Sequence, residues 1–178
     1  VYSSSQVPVL IDFNGDGKSD IYHIKSFGGT PEADEISFNQ SLHPLIENIY
    51  SGIGGSSTIN YLPSTHYPNH QLPFVLQTVE NITDPWPYKF DTTPNYDYEG
   101  GLYNFLDRDF RGFETVTKTS PDGTWVQTLH HQGQHDTFHP LEDNSLKGRV
   151  LRTEVHEPNV GEEEGALISE AINDWGTE

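Results

Sequence analysis

The stretch Thr115-Val-Thr-Lys-Thr-Ser-Pro-Asp-Gly-Thr-Trp-Val-Gln-Thr128 decides the expected fold of this chain. β-Branched residues alternate with other residues on both sides of Ser120–Gly123, and such alternation is typical of strands. Proline presets φ for a turn and glycine supplies a positive φ, so the four central residues suit a chain reversal. The stretch therefore predicts an antiparallel β-hairpin.

Segments of similar strand character recur along the chain, separated by clusters of Gly, Pro, Asn and Asp. They are Ile36–Asn39, Leu45–Tyr50, Ser57–Leu62, Phe74–Ile82, Tyr96–Tyr103, Phe113–Thr119, Thr124–Gln132 and Arg149–His156. Many short strands with regular turn signals predict an all-β fold, here an antiparallel β-sheet. Pro63–Pro73 and Asp84–Pro94 are expected to be loops, because each proline removes a donor from the sheet ladder.

The C-terminal stretch fits two structures. Apolar residues recur at helical spacing at Leu167, Ile168, Ala171, Ile172 and Trp175, and the acidic run 162–164 suits a helix N-terminus. The same residues also fit a strand. Both alternatives stay open on these residues alone.

A second informative stretch is Asp12-Phe-Asn-Gly-Asp-Gly-Lys-Ser-Asp20. Calcium takes six to eight oxygen ligands, and short polar side chains at every second position of a tight loop deliver them. The candidate ligands are the side chains of Asp12, Asn14, Asp16 and Asp20 and the backbone carbonyl of Lys18. Glycine between these positions permits the positive φ of a tight wrap. The stretch predicts a structural Ca²⁺ site, and the alternative is an Asn/Asp/Gly-rich hairpin that binds nothing.

This loop differs from an EF-hand loop. An EF-hand loop ends in a bidentate Glu at position twelve, where this chain has His23. The flanking segments Val7–Ile11 and Ile21–Ile24 are rich in β-branched and aromatic residues and are predicted to be strands. The expected unit is a strand, a calcium loop and a second strand.

Composition excludes several classes of function. Nine basic and 27 acidic residues give a net charge of −18, which argues against nucleic-acid backbones and anionic membrane surfaces. The chain has no cysteine, so it has neither disulfides nor a cysteine-ligated zinc site. No apolar run approaches the roughly 18 residues of a membrane span. The charge fits an extracellular setting rich in divalent cations.

The sequence offers little support for catalysis. His130, His131, His135 and His139 are close in sequence, but adjacent residues of a strand point to opposite faces, so a polar strand and loop are favoured over a metal site. Pairs of carboxylates are uninformative in so acidic a chain. There is no nucleophile elbow or phosphate-binding loop. We expect a protein that is not an enzyme.

A cluster of aromatic and charged residues is expected to be architectural. Phe110 and Phe113 are predicted to pack inward around Gly112, where a bend lets strands approach closely. The charged side chains are expected to form ion pairs on the solvent side; they are Arg108 and Arg111 with Asp107, Asp109 or Glu114.

Two of these segments carry a family resemblance. Tyr96–Asn104 followed by Arg108–Val116 resembles the middle region of SpvB-type proteins, which include the B component of bacterial insecticidal toxin complexes. Further segments resemble the family in the same order; they are Gly52–Tyr61, Pro73–Val79, His130–Gly133 and Leu146–Val155. The Asp12 loop lies where the family carries FG-GAP/VCBS-like propeller repeats.

The resemblance implies an organisation and a role. Residues 1–30 would be an FG-GAP/VCBS-like calcium-binding repeat, and residues 31–178 an SpvB/TcB-like β-rich middle region of a propeller-plus-RHS-shell protein. The implied function is a non-catalytic structural segment of a secreted bacterial protein whose propeller and shell enclose or deliver a toxin. The implied partners are the toxin-complex A and C components and the remainder of the parent chain, without nucleic acid or membrane insertion. The resemblance also favours a strand for the C-terminal stretch.

An alternative function is a calcium-dependent adhesin or carbohydrate-binding module of a bacterial surface protein. FG-GAP units occur in that class too. Trp86, Tyr88 and Trp125 would then form the platform for a sugar ring.

Overall fold

The computed structural model describes residues 7–24, 35–40, 45–68, 72–84, 93–133, 144–161 and 164–175. These residues form thirteen strands: β1 Val7–Ile11, β2 Asp20–Ile24, β3 Glu35–Ser37, β4 Asn48–Tyr50, β5 Ser56–Pro63, β6 Gln77–Thr83, β7 Asn95–Glu99, β8 Leu102–Asn104, β9 Asp109–Gly112, β10 Thr115–Thr119, β11 Trp125–His130, β12 Val150–His156 and β13 Leu167–Ile172. Within these ranges the helical structure is confined to two 3-10 turns, Ser64–His66 and Asn144–Leu146. Neither turn is long enough to cross a membrane.

The strands form three antiparallel sheets. The first has the order β1-β2-β3, the second β13-β12-β11-β10-β7-β6-β5-β4, and the third pairs β8 with β9. Most neighbours are also consecutive in sequence, as expected for chains folded by short hairpins. The predicted all-β, antiparallel fold is confirmed. β3, which lies beyond residue 30, pairs with β2.

The central hairpin forms as predicted. β10 pairs with β11 from Thr115↔Leu129 to Thr119↔Trp125. Two backbone hydrogen bonds close the turn, from Ser120 N to Thr124 O at 2.8 Å and from Gly123 N to Ser120 O at 2.9 Å. Gly123 has φ +87°, a conformation that glycine adopts without the steric cost of a Cβ.

One predicted strand is divided. The segment Tyr96–Tyr103 splits into β7, in the large sheet, and β8, which leaves that sheet to pair with β9. The break falls at Gly100, which has φ +66° and accepts a hydrogen bond from Glu114 N at 3.3 Å. A residue in the left-handed region changes the local direction of a strand. The strand-like sequence pattern therefore continues past Gly100, whereas pairing with the large sheet ends there.

The C-terminal stretch is a strand. β13 pairs with β12 in the register Arg152↔Ile172 to His156↔Leu167. All six residues of β13 are exposed, and Leu167 and Ile168 keep 51% and 57% of their accessible surface. Backbone pairing with β12 holds this strand, rather than burial of its side chains.

Phe74, Tyr98, Phe110 and Phe113 form an aromatic cluster. Phe110 contacts Phe113 with ring centroids 5.7 Å apart, Phe113 contacts Tyr98 at 5.0 Å, and Phe74 contacts Phe110 at 6.2 Å. The predicted inward packing of Phe110 and Phe113 is confirmed. The Phe110–Phe113 and Phe74–Phe110 pairs are edge-to-face, and such pairs contribute about 0.5–1.5 kcal/mol each beyond the burial of their surface.

A pair of tyrosines, Tyr98 and Tyr67, extends this aromatic cluster towards β6. The Tyr98 hydroxyl donates to Val79 O at 3.1 Å, and its ring lies 5.6 Å from that of Tyr67. Burial, followed by the neighbouring Tyr67, Tyr96 and Asp97, raises the pKa of Tyr98 to about 12. Burial likewise raises the pKa of Tyr67. Both phenols therefore remain protonated donors throughout the physiological range.

Candidate cation loop and its surroundings

The loop between β1 and β2 wraps around the carboxylate of Asp12. Oδ1 of Asp12 accepts from Gly15 N at 2.7 Å and from Asp16 N at 3.1 Å, and Oδ2 accepts from Gly17 N at 2.8 Å. One carboxylate thus organises three successive backbone N–H groups. This is the tight, inward-facing turn that the alternation of short polar residues predicts.

The next two polar side chains continue the wrap. Asn14 Oδ1 accepts from Asp16 N at 3.2 Å, and Asp16 Oδ1 accepts from Lys18 N at 2.8 Å. Gly15 and Gly17 have φ of +73° and +84°. Residues with a Cβ adopt these angles at a cost, so glycine at both positions explains how so short a loop closes.

Asp20 has a role that the sequence did not indicate. Its side chain is fully buried, and its carboxylate accepts from Phe13 N at 2.9 Å and from Asn39 N at 2.8 Å. Asp20 therefore ties the start of the loop to the residues that follow β3. This contact anchors the three-stranded sheet.

The donors fit a hard cation in their chemistry, since all of them are oxygen atoms. Their side-chain oxygens already accept backbone N–H groups. In the described part of the chain, no three acidic or histidine side chains converge closely enough to hold a metal ion. The calcium site at Asp12, Asn14, Asp16, Lys18 and Asp20 therefore remains a prediction.

The histidine cluster is only partly within the described residues. His131 is buried, and its backbone N–H donates to Arg149 O at 2.9 Å. His130 lies at the end of β11. His135 and His139 lie outside the described ranges.

The proposed sugar platform is likewise only partly described. Trp86 and Tyr88 fall outside the described ranges. The Trp125 indole stacks on the His156 ring at 3.8 Å and donates through Nε1 to Asn159 at 3.0 Å. One face of Trp125 is therefore already covered, so this residue gives no support to the alternative of a carbohydrate-binding module.

Arg111 is buried, whereas its ion pairs were expected on the solvent side. Its exposed fraction is 4%, and Nη2 lies 2.5 Å from Asp107 Oδ2 while Nε lies 3.5 Å from Asp109 Oδ2. Nη1 donates to Asn144 Oδ1, and Lys147 pairs with Asp109 from the other side. The hydrogen bond from Lys147 is the main cause of a lowered pKa of Asp109. The guanidinium thus joins the β8–β9 hairpin to the 3-10 turn before β12.

Replacing Arg111 by methionine is expected to lower the free energy of unfolding by about 2 kcal/mol, measured by urea denaturation. A hydrogen bond to a charged group contributes about 1.5–3 kcal/mol, and the half-exposed carboxylates recover part of this from water. The matched control is Arg152→Met, because the Arg152 side chain is 38% exposed and pairs with Glu154 and Glu170. Equal losses in the two variants would contradict the role assigned to Arg111.

The described part of the chain is thus an all-β fold with an N-terminal strand–loop–strand unit. Residues 3–135 match the family model of the insecticide toxin TcdB middle/N-terminal region. Because this match spans most of the 178 residues, the chain belongs to that family. No curated protein matches the chain.

Solved structures share the fold at low sequence identity. The TcdB2–TccC3 crystal structure matches 95% of this chain with a TM-score of 0.69 and 14% identity. The TcdB2–TccC3–Cdc42 crystal structure matches 95% with a TM-score of 0.68 and 14% identity. The Photorhabdus luminescens Tc holotoxin pore with the TccC3 mutation D651A matches 93% with a TM-score of 0.66 and 14% identity. The chain covers 11% of each of these longer chains.

Proposed function

We propose that this chain is a non-catalytic structural segment of a secreted, toxin-complex B-like protein. The proposal rests on the family match over residues 3–135. The fold shared with the TcdB2–TccC3 structure over 95% of this chain supports it. The described architecture agrees with a wall element. It contains an eight-stranded antiparallel sheet in which β4 and β13 each have one neighbour among the described strands.

The proposal divides the chain into two parts. Residues 1–30 contribute an FG-GAP/VCBS-like propeller repeat, and residues 31–178 contribute strands of an RHS-type shell that encloses or delivers a toxin. The partners are the A and C components of a toxin complex and the remainder of the parent chain. The solved relatives, a TcdB2–TccC3 complex and a Tc holotoxin pore, support this choice.

A chimera tests this function. In TcdB2, the matching segment is replaced by this chain, and the product is co-expressed with TccC3. We expect a soluble complex by size-exclusion chromatography and native mass spectrometry, because the fold is shared over 95% of this chain. The matched control carries the same residues with the order of the β10–β11 and β12–β13 pairs exchanged. A folded chimera that binds no TccC3 would contradict the shell role.

The second part of the proposal is that the Asp12 loop binds Ca²⁺. Asp12, Asn14, Asp16 and Asp20 would supply side-chain oxygens and Lys18 a backbone carbonyl. The cation would neutralise the carboxylates and fix the path of the chain between β1 and β2. Hard oxygen donors, the closed wrap around Asp12 and the two left-handed glycines support this assignment.

Thermal unfolding in calcium and in excess chelator tests the site. At a calcium concentration 100-fold above Kd, binding stabilises the folded state by about 2.7 kcal/mol, which raises Tm by roughly 5–10 °C in a chain of this size. Asp16→Ala is expected to abolish this rise. Asp122→Ala is the control, because it removes the same charge from an exposed turn where Asp122 accepts from Thr124 N. Identical melting with and without calcium in the unmodified chain would refute the site.

A further inference from the structure

The loop makes a second set of contacts, with the corner between β5 and β6. The Thr65 hydroxyl donates to Gly15 O at 2.5 Å, and the Gln77 amide donates through Nε2 to Asp16 O at 2.7 Å. The two donors lie 50 and 61 residues further along the chain than their acceptors. Thr65 lies in the 3-10 turn that follows β5, and Gln77 is the first residue of β6 in the eight-stranded sheet. The acceptors lie in the loop that joins β1 to β2 of the three-stranded sheet.

The corner that carries these donors is itself held in place. Ser64, which begins the 3-10 turn after β5, is almost completely buried. Its backbone N–H donates to Leu76 O at 2.6 Å, and its hydroxyl accepts from Leu76 N at 3.0 Å. Thr65 and Gln77 follow directly on these two residues. The donors are therefore presented by a fixed scaffold.

The two glycines of the loop allow this close approach. A Cβ on Gly15 would lie 3.3 Å from Thr65 Oγ1, and a Cβ on Gly17 would lie 3.3 Å from Val75. Contacts of this length are tighter than most side chains accept. The same glycines that close the wrap also leave room for the corner.

Two successive peptide groups are held from both sides. In the peptide joining Gly15 to Asp16, the N–H donates to Asp12 Oδ1 while the C=O accepts from Thr65. In the next peptide, Gly17 N–H donates to Asp12 Oδ2 while the C=O of Asp16 accepts from Gln77. Peptide groups are planar and rigid, so a displacement of the Asp12 carboxylate is transmitted to the donors at the corner.

We infer that Thr65 and Gln77 are positioning residues that couple two features of the molecule. One is the conformation of the Asp12 loop, and the other is the packing of the three-stranded sheet against the eight-stranded sheet. The inference deepens the proposed function and rests on the proposed calcium site. A cation bound at Asp12 stabilises the packing of the two sheets against each other. By thermodynamic reciprocity, the packing of the two sheets raises the affinity for the cation by the same factor.

Calcium titration calorimetry on Thr65→Val, Gln77→Met and the double variant tests the coupling. One neutral hydrogen bond contributes about 1 kcal/mol, so each substitution is expected to weaken binding about fivefold and the double variant about 25-fold. Thr65→Ser keeps the hydroxyl donor and is expected to retain affinity within about twofold. Gln132→Met is the matched control, because it removes amide hydrogen bonds to Gly100 O and Gly112 O far from the loop.

A distance measurement gives a readout independent of affinity. The chain has no cysteine, so spin labels at Ser37→Cys on β3 and Lys118→Cys on β10 report only the separation of the two sheets. Both positions are exposed. We expect a narrow distance distribution in calcium, and a broader one in chelator or in the Thr65→Val/Gln77→Met variant.

The outcomes separate the two proposals. Calcium affinity and inter-sheet distance unchanged in the double variant would overturn the coupling and leave the calcium site standing. Failure of the unmodified chain to bind calcium would overturn both, and thermal melts of Asp16→Ala detect that failure separately. A loss of affinity in Gln132→Met equal to that in Gln77→Met would also overturn the coupling, because the effect would then be unspecific.

Discussion

Replacing Asp20 by alanine is expected to lower the free energy of unfolding by about 4 kcal/mol. The carboxylate is fully buried and accepts from Phe13 N and Asn39 N at 2.9 and 2.8 Å. Hydrogen bonds to a charged group contribute about 1.5–3 kcal/mol each, and their removal leaves two backbone donors without a partner. A loss of this size is a large share of the roughly 5–15 kcal/mol that stabilises a typical domain.

Urea denaturation in excess chelator separates this effect from calcium binding. Asp20→Ala is expected to be destabilised in chelator by its full amount, whereas Asp16→Ala, which loses the hydrogen bond from Lys18 N, is expected to cost less than about 1 kcal/mol under the same conditions. Asp122→Ala, in its exposed turn, is the control and is expected to cost less than about 1 kcal/mol. A cost in chelator no larger than that of the control would show that Asp20 is not an anchor.

Replacing Gly165 by alanine is expected to cost about 3 kcal/mol, because overpacking against rigid backbone is expensive. A Cβ at this buried position would overlap the carbonyl group of Glu157 and lie 3.0 Å from Pro158 O. The surrounding contacts restrict any adjustment. Gly165 N donates to Asn159 Oδ1 at 2.9 Å, and Gly165 O accepts from His156 Nδ1 at 3.0 Å.

The damage is expected to be local, since β12 is the one neighbour of β13 among the described strands. Amide hydrogen exchange in β13 is expected to become faster while exchange in β10 and β11 stays unchanged. The matched control is Gly52→Ala, because a Cβ at Gly52 meets nothing within 4 Å. Unchanged protection of β13 in Gly165→Ala would contradict the steric argument.

The elements predicted correctly from sequence are those with local causes. The β10–β11 hairpin needed only its alternation and the turn Ser120–Gly123, and the wrap of the Asp12 loop needed only its spacing. The C-terminal stretch shows the limit of such patterns. Its apolar residues fit a helix and a strand equally, and pairing with β12 decides between them.

The contacts that escaped prediction join residues far apart in sequence. Arg111 was expected on the surface, and its burial depends on Asn144, 33 residues later. Thr65 and Gln77 gave no signal, because an isolated threonine or glutamine near a turn is ordinary. Asp20 was assigned as a ligand from its spacing, while its hydrogen bond to Asn39 N depends on how β3 returns to β2.

The open ends of the large sheet bear on how such a protein changes over evolutionary time. Among the described strands, β4 and β13 each have a single neighbour. When each strand contacts only its neighbours, stability is nearly a sum of local terms. A duplicated hairpin can therefore be added to such a sheet without disturbing a register already formed. A sheet of this kind can thus widen by gene duplication, one hairpin at a time.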